Sequence, residues 1–154
     1  MATSQNGKAT TTKTTFSRQT EVSIKIKSDP EIVWALLTKA SDYPRWNSTV
    51  TSIEGEIALG KQIKLKSILD AKRTFKLKVK EFEPSKRLAW GDGMGTRVYT
   101  IAKNQDGTVG FSMSEKIGGL MFPLFAKMIP PFDQSFEQFA NDLKKESEII
   151  MNSK

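Results

Sequence analysis

The amino-acid sequence predicts an α+β domain in which a curved antiparallel sheet of about seven strands wraps around a long C-terminal helix. Between residues 50 and 117, apolar and polar side chains alternate in short runs, which is the period of half-buried strands. Near the C-terminus the period changes, because Phe132, Phe136, Phe139 and Leu143 recur at helical spacing. The length of 154 residues is that of one domain.

The N-terminal third predicts a tail, one strand and two short helices. Residues 1–19 are rich in Thr and hold bases without acids, so we expect a disordered tail before a domain over residues 20–151. Residues 21–27 alternate as a strand does. Asp29 and Pro30 then favour the start of a helix that ends near residue 38. Pro44 limits residues 41–47 to a second short helix.

The remaining elements follow from alternation and turn residues. Glycines make residues 91–95 a flexible turn, which lacks the lysine and helix start of a phosphate loop. A hairpin closed by residues 105–107 precedes an apolar stretch over residues 120–128 and a helix over residues 132–151. The predicted strands of this part span residues 50–55, 57–59, 62–69, 73–82, 87–90, 96–102 and 108–117.

The composition excludes several kinds of site. The sequence holds no cysteine and no histidine, so disulfides, thiolate sites and histidine bases are impossible, and we expect neither a metal nor a cofactor. No stretch approaches the ~20 apolar residues of a membrane span. Residues 1–15 show no apolar signal segment, so a cytoplasmic protein is expected.

Three segments of the sequence carry a family resemblance: IKSDPEIVWALLTKASDYPRWNSTVTSIEG, FEPSKRLAWG and GTVGFSMSEKIGGLM. Over residues 20–150 the chain resembles the polyketide cyclase/dehydrase and lipid transport family of the START-like (SRPBCC) superfamily, which includes pollen-allergen-like ligand binders. Trp34 and Trp46 match the helix tryptophan and the W-N-P corner of that family, although Ser48 replaces the proline. The resemblance implies a helix-grip fold with a cavity between sheet and C-terminal helix, and it fixes no reaction.

Side chains alternate between the two faces of a strand, and the apolar stripe of the C-terminal helix faces the sheet. Together these two patterns place one set of side chains between sheet and helix. They form the wall of a pocket if the cavity exists, and a solid core if it does not. Three of them, Phe122, Phe125 and Met128, would form a lid near the Gly118–Gly119 hinge. The predicted pocket residues are Trp46, Phe75, Leu77, Val79, Trp90, Arg97, Tyr99, Ile101, Phe111, Met113, Glu115, Phe122, Phe125, Met128, Phe132, Phe136 and Phe139.

Two charges stand among these apolar positions. The three-residue hairpin places Arg97 directly opposite Glu115, and the same parity that turns Tyr99 and Met113 inward turns both charges inward. Each neutralises the other, since an unpaired charge facing a pocket is costly. The pair either orients the polar end of a ligand, or polarises a carbonyl, or is a structural ion pair at the cavity rim.

Residues 61–87 carry most of the positive charge, with ten bases against three acids. Five lysines alternate with inward apolar side chains and form a solvated outer face, or alternatively a weak contact with an anionic surface. No outward aromatic interleaves them, so no nucleic acid is expected as a partner. We expect a monomer or a weak dimer. The five lysines are Lys64, Lys66, Lys76, Lys78 and Lys80.

The sequence favours binding or transport of a small hydrophobic molecule, such as a lipid, a polyketide-like or an aromatic metabolite. The alternatives are a cyclase/dehydratase-type enzyme without metal or histidine, and a protein-interaction module of the same fold. Catalysis needs convergent acids and bases, and the predicted pocket offers few polar groups. They are Arg97, Glu115 and Tyr99, with Asn47 and Ser112 as further candidates, of which Ser112 is predicted to point outward. No catalytic residue is assigned.

Overall fold

The computed structural model describes residues 4–154 and consists of one antiparallel sheet and four helices. Two single turns of 3-10 helix lie at Ala40–Asp42 and Ala126–Met128. The helices are α1 (Pro30–Thr38), α2 (Tyr43–Trp46), α3 (Phe122–Phe125) and α4 (Asp133–Asn152). The strands are β1 (Thr10–Lys13), β2 (Ser17–Ile26), β3 (Val50–Glu54), β4 (Gln62–Ser67), β5 (Asp70–Glu83), β6 (Arg87–Gly91), β7 (Gly95–Lys103) and β8 (Val109–Gly118).

The eight strands are hydrogen-bonded in the order β1-β2-β8-β7-β6-β5-β4-β3. One face of this sheet covers α4, whose predicted apolar stripe is confirmed, because Phe136, Phe139, Ala140 and Leu143 are all buried. The same parity buries Val22, Ile24 and Ile26 on β2 and Phe111 and Met113 on β8. The predicted antiparallel sheet around a long C-terminal helix is therefore the fold of this chain.

One register and one outer face predicted from the sequence are confirmed. Arg97 pairs directly with Glu115 across the β7–β8 hairpin, where the N–H of Asn104 donates to the carbonyl of Thr108 at 2.8 Å. Lys64 pairs directly with Lys76 across β4 and β5, on the outer face of the sheet. Both follow from period-2 alternation, which fixes the side of each residue once the turn length is known.

The N-terminal segment differs from its prediction. Residues 10–13 form the edge strand β1 rather than disorder, and β2 begins at Ser17, before the predicted residue 21. The segment also bonds to α4, because the Thr11 hydroxyl donates to Asp133 at 2.6 Å and the Ala9 N–H donates to Glu137 at 2.9 Å. Composition indicated a tail, but these ladder and side-chain bonds give the polar segment its order. Residues 1–3 of the predicted tail lie outside the described residues.

One smaller prediction is wrong, and the turn after β6 has a defined hydrogen-bond pattern. Residues 57–59 form no strand, since only Ile57 is buried while Leu59 is exposed, and the segment is a connection bonded to β5 through Gly60. The 91–95 turn, predicted to be flexible, is closed by hydrogen bonds. Asp92 donates its backbone N–H to the Gly95 carbonyl at 2.9 Å, and its side chain accepts the N–H groups of Met94 and Gly95.

Candidate ligand-binding site

A pocket of about 180 Å³ opens at the end of the sheet where α4 begins. Its wall is mostly apolar, and it comes from β4–β8, from the β6–β7 turn and from the segment before α4. The lining residues are Leu65, Ser67, Leu69, Asp70, Arg73, Phe75, Leu77, Trp90, Gly91, Asp92, Met94, Gly95, Arg97, Glu115, Ile117, Met128, Ile129, Pro130 and Phe132.

Some of the predicted pocket residues line this pocket. They meet there because β5, β6, β7 and β8 turn the same parity toward the start of α4. Within this set, Met128 is the member of the predicted lid that reaches the pocket, and it is 81% exposed. The predicted residues that line the pocket are Phe75, Leu77, Trp90, Arg97, Glu115, Met128 and Phe132.

The other predicted pocket residues lie outside its wall. Phe139 fills the space behind the pocket, with its ring centroid 5.6 Å from that of Tyr99 and 6.3 Å from that of Phe111. The ring of Trp46 also packs on Phe139, with 5.8 Å between the two ring centroids. These contacts make the rear half of the space between sheet and helix a packed core. The predicted residues that do not line the pocket are Trp46, Val79, Tyr99, Ile101, Phe111, Met113, Phe122, Phe125, Phe136 and Phe139.

The Arg97–Glu115 ion pair faces the pocket. The Nε of Arg97 donates to Oε1 of Glu115 at 2.7 Å, and the two side chains are only 14% and 18% exposed. The Arg97 guanidinium also lies over the ring of Phe136, 4.9 Å from its centroid. Burial is the largest single influence on the pKa of Arg97 and lowers it, but the attraction of Glu115 and Tyr99 and the hydrogen bond to Glu115 together outweigh burial and leave the pKa raised. Arg97 is therefore a fixed cation with further donors available to a ligand.

Tyr99 lies next to this pair but behind the pocket wall. Its hydroxyl is buried and has no hydrogen-bond partner among the described residues. Burial raises the pKa of Tyr99 to about 12, while nearby Arg97 opposes the shift. Tyr99 is consequently a neutral core side chain near neutral pH.

Arg18 is a site residue that the sequence analysis missed, since it placed this arginine in the tail. The side chain is buried against the segment that covers the pocket, and its guanidinium donates to the carbonyls of Ile129 at 3.2 Å and Pro130 at 2.8 Å. Burial lowers the pKa of Arg18, and Glu115 and Asp133 raise it. The signal was present, because Arg18 and Thr20 continue the inward parity of β2.

The other missed residues lie near the ends of strands, in the turns between them and in the segment before α4. Gly91 and Gly95 bring β6 and β7 so close that a Cβ on Gly91 would overlap the Gly95 carbonyl oxygen. Only glycine fits there, and Met94 is thereby presented at the pocket mouth. Glycine spacing marked this turn in the sequence, but it did not show what the turn approaches.

Within residues 4–154, no cluster of three or more side chains suits a metal ion. None of the helices in this range combines the length and apolar character needed to cross a membrane.

Solved structures with the same fold have little sequence identity to this chain. A conserved protein of unknown function, EF2215 from Enterococcus faecalis, has a TM-score of 0.65 at 14% identity over 92% of this chain and 77% of its own. A START superfamily protein from Mycobacterium smegmatis has a TM-score of 0.62 at 12% identity over 86% and 98%. The di-domain ARO/CYC BexL from the BE-7585A biosynthetic pathway has a TM-score of 0.65 at 12% identity over 88% and 51%.

These similarities show a START-like helix-grip fold. A search of curated proteins finds no match. The sequence profile described as polyketide cyclase / dehydrase and lipid transport matches residues 17–148, which is most of the chain. The chain therefore belongs to the polyketide cyclase / dehydrase and lipid transport family.

Proposed function

We propose that this protein binds a small hydrophobic molecule in the pocket between the sheet and the start of α4. The observation that carries the proposal is an open, mainly apolar pocket with a paired arginine and glutamate in its wall. Such a composition is typical of ligand sites, where apolar walls give affinity and a few polar groups give orientation. Membership of a family that includes lipid transport in its description supports it.

The size of the pocket narrows the ligand. A volume of about 180 Å³ is close to that of the apolar cavity of about 150 Å³ that accepts benzene in another protein. It therefore suits one aromatic ring or the end of an acyl chain, with the rest of a longer molecule extending through the mouth. Phe139 stacks on Tyr99 behind the pocket and prevents deeper insertion.

Apolar contact alone gives weak binding here. One ring buries roughly 150 Å², which at about 25 cal/mol per Å² amounts to about 4 kcal/mol and a Kd near 1 mM before the costs of association. Tighter binding needs a polar contact. The free N–H groups of Arg97 and the second oxygen of Glu115 can supply it to a hydroxyl or carbonyl at the ligand end.

Turnover is less well supported than binding. Three charged groups of the pocket wall are already engaged: Arg97 donates its Nε–H to Glu115, and the Asp92 carboxylate accepts two turn N–H groups. Arg73 lies over the ring of Phe75 at 4.6 Å. Catalysis in this pocket would need a free acid and base facing the same atom. We therefore infer a binding protein, with the cyclase-type enzyme as the alternative.

Native mass spectrometry of the purified protein tests for a bound passenger. Titration with phenol and with toluene, followed by NMR of backbone amides, then tests the pocket itself. We expect shifts at Gly91, Gly95 and Ile117, and tighter binding of phenol because its hydroxyl meets the ion pair.

The matched variants are Leu77→Trp, which fills the pocket, and Leu59→Trp, which adds the same ring at an exposed site outside it. Leu77→Trp should abolish the shifts, and Leu59→Trp should retain them. Equal responses of both variants, or shifts elsewhere, would reject the proposal.

The expected monomer or weak dimer stays a prediction, which sedimentation velocity of the same samples checks.

A further inference from the structure

Exposed apolar side chains are concentrated around the pocket mouth. Nine large apolar side chains among the described residues are exposed, and seven of them lie at this end; the other two are Leu59 and Ile149. Leu120 and Met128 are the most exposed, at 86% and 81%. We call the seven the apolar rim: Phe16, Ile68, Met94, Leu120, Met121, Leu124 and Met128.

Backbone hydrogen bonds join the segments that carry the rim. The N–H of Gly118, at the end of β8, donates to the carbonyl of Met94 at 3.0 Å. The N–H of Gly119 donates to the carbonyl of Phe16 at 3.0 Å. The β1–β2 turn, the β6–β7 turn and the start of the segment before α3 therefore lie side by side.

The pocket itself joins the rest of the rim to these turns. Met94 and Met128 both line the pocket, as does Leu69, the neighbour of Ile68 in the β4–β5 turn. Leu120, Met121 and Leu124 lie between Gly119 and Met128 along the chain. The rim thus comes from four separate segments that surround one opening.

Positive charge accompanies the rim in these segments. Over residues 13–17, 66–73, 92–96 and 116–128, six bases stand against two acids. One of the acids, Asp92, is held by the N–H groups of its own turn. The six bases are exposed: Lys13, Lys66, Lys72, Arg73, Lys116 and Lys127.

We propose that the apolar rim docks the protein on a lipid bilayer that carries anionic headgroups. Apolar side chains on separate turns can enter the interfacial region one by one, while the flanking bases meet the headgroups. A second copy of the chain fits less well, because a two-fold contact through this rim would bring six bases against six bases. The proposal is independent of whether the pocket holds a ligand.

Cosedimentation of the full chain with vesicles tests the docking. Vesicles of phosphatidylcholine alone are compared with equal parts of phosphatidylcholine and phosphatidylserine. We expect binding to the anionic vesicles, weaker by about ten-fold or more on the neutral ones. Binding should weaken as salt rises from about 0.01 M to about 0.15 M, since the Debye length shortens from about 30 Å to about 8 Å. No binding to the anionic vesicles would overturn the proposal.

The apolar part is tested by Leu120→Ser/Leu124→Ser against the control Leu59→Ser/Ile149→Ser. All four side chains are exposed, so both variants should fold, which circular dichroism checks. The rim variant should lose about ten-fold or more in vesicle affinity, and the control should bind as the parent does. Equal binding of the two variants overturns the proposal. The proposal is also overturned if the rim variant loses self-association but keeps the vesicle affinity of the parent.

The charged part is tested by two variants of equal net charge. Lys116→Glu/Lys127→Glu changes the rim, and Lys64→Glu/Lys76→Glu changes the outer lysine face of β4 and β5. The rim variant should bind vesicles more weakly than the lysine-face variant, and the reverse order rejects the rim in favour of that face. Two cross-tests separate this proposal from that of the pocket. Leu120→Ser/Leu124→Ser should still bind phenol, and Leu77→Trp should still bind vesicles.

Discussion

The guanidinium carbon of Arg18 lies 4.9 Å from the ring centroid of Phe132, in a cation–π contact that joins β2 to the start of α4. Phe132 in turn stacks on Phe136 at 5.9 Å, and Phe136 carries Arg97 on its own ring. Two arginines and two phenylalanines thus form one connected group beside the pocket.

Replacing Arg18 should loosen the pocket cover, by which we mean residues 126–132 before and at the start of α4. Arg18→Met removes two hydrogen bonds to the Ile129 and Pro130 carbonyls, and we expect a loss of about 2 to 3 kcal/mol in the free energy of unfolding. Hydrogen exchange should accelerate over residues 126–132, while the centre of β8 stays protected. Arg18→Lys keeps the charge but loses the two-pronged donor, so its free energy of unfolding should lie between those of the parent and of Arg18→Met. Unchanged exchange in the cover contradicts this role.

The Arg97–Glu115 pair should show strong coupling. Removing one partner leaves the other charge largely buried, so Arg97→Met and Glu115→Gln should each destabilise the protein by roughly 3 kcal/mol. The double variant should lose clearly less free energy of unfolding than the two single variants lose together. Urea unfolding of all four proteins gives the coupling energy. Full additivity would mean that the two side chains do not interact in solution.

The two tyrosines should resist ionisation in the folded protein. Burial raises the pKa of Tyr99 to about 12, and burial also raises the pKa of Tyr43 well above its ordinary value. Since the folded state retains these protons, their contribution to stability is complete below about pH 10 and is lost as the pH rises toward 12.

Ultraviolet absorbance of the phenolate measures this directly. The native protein should show none near pH 10, whereas in guanidinium chloride both tyrosines should titrate near pH 10. Tyr99→Phe serves as the control for the contribution of Tyr43. A native titration with a midpoint near pH 10 would contradict the burial of these hydroxyls.

Deleting residues 1–13 should destabilise the domain. The deletion removes the pairing of β1 with β2 and the hydrogen bonds from Thr11 and Ala9 to α4. We expect a loss of roughly 2 to 4 kcal/mol, because several net hydrogen bonds of about 1 kcal/mol each disappear. Thermal unfolding of the two chains measures it. A stability equal to that of the full chain would restore the picture of a disordered tail.

Local periodicity predicted the elements and their faces. The 132–143 stripe fixed the buried side of α4, and the three-residue hairpin fixed Arg97 opposite Glu115. Both depend on neighbours in sequence or on one short turn, so no knowledge of the rest of the fold was needed. The family resemblance then supplied the helix-grip arrangement, which the family profile and solved structures confirm.

The location of the pocket could not be predicted from the same patterns. Parity states that Tyr99, Phe111 and Phe139 share one side, but it does not give the distance between sheet and helix. That distance depends on sheet curvature, which brings these rings together at the rear and leaves space near Phe132. The role of Arg18 was hidden for another reason, since composition outweighed the continuing alternation of β2.

The rings of Trp46 and Tyr99 both pack against Phe139 behind the pocket, so the deeper part of the domain is solid. Met94 and Met128 lie at the pocket mouth outside this packed group, and both side chains are exposed. We therefore expect substitutions at these two positions to leave the thermal unfolding temperature of the protein nearly unchanged.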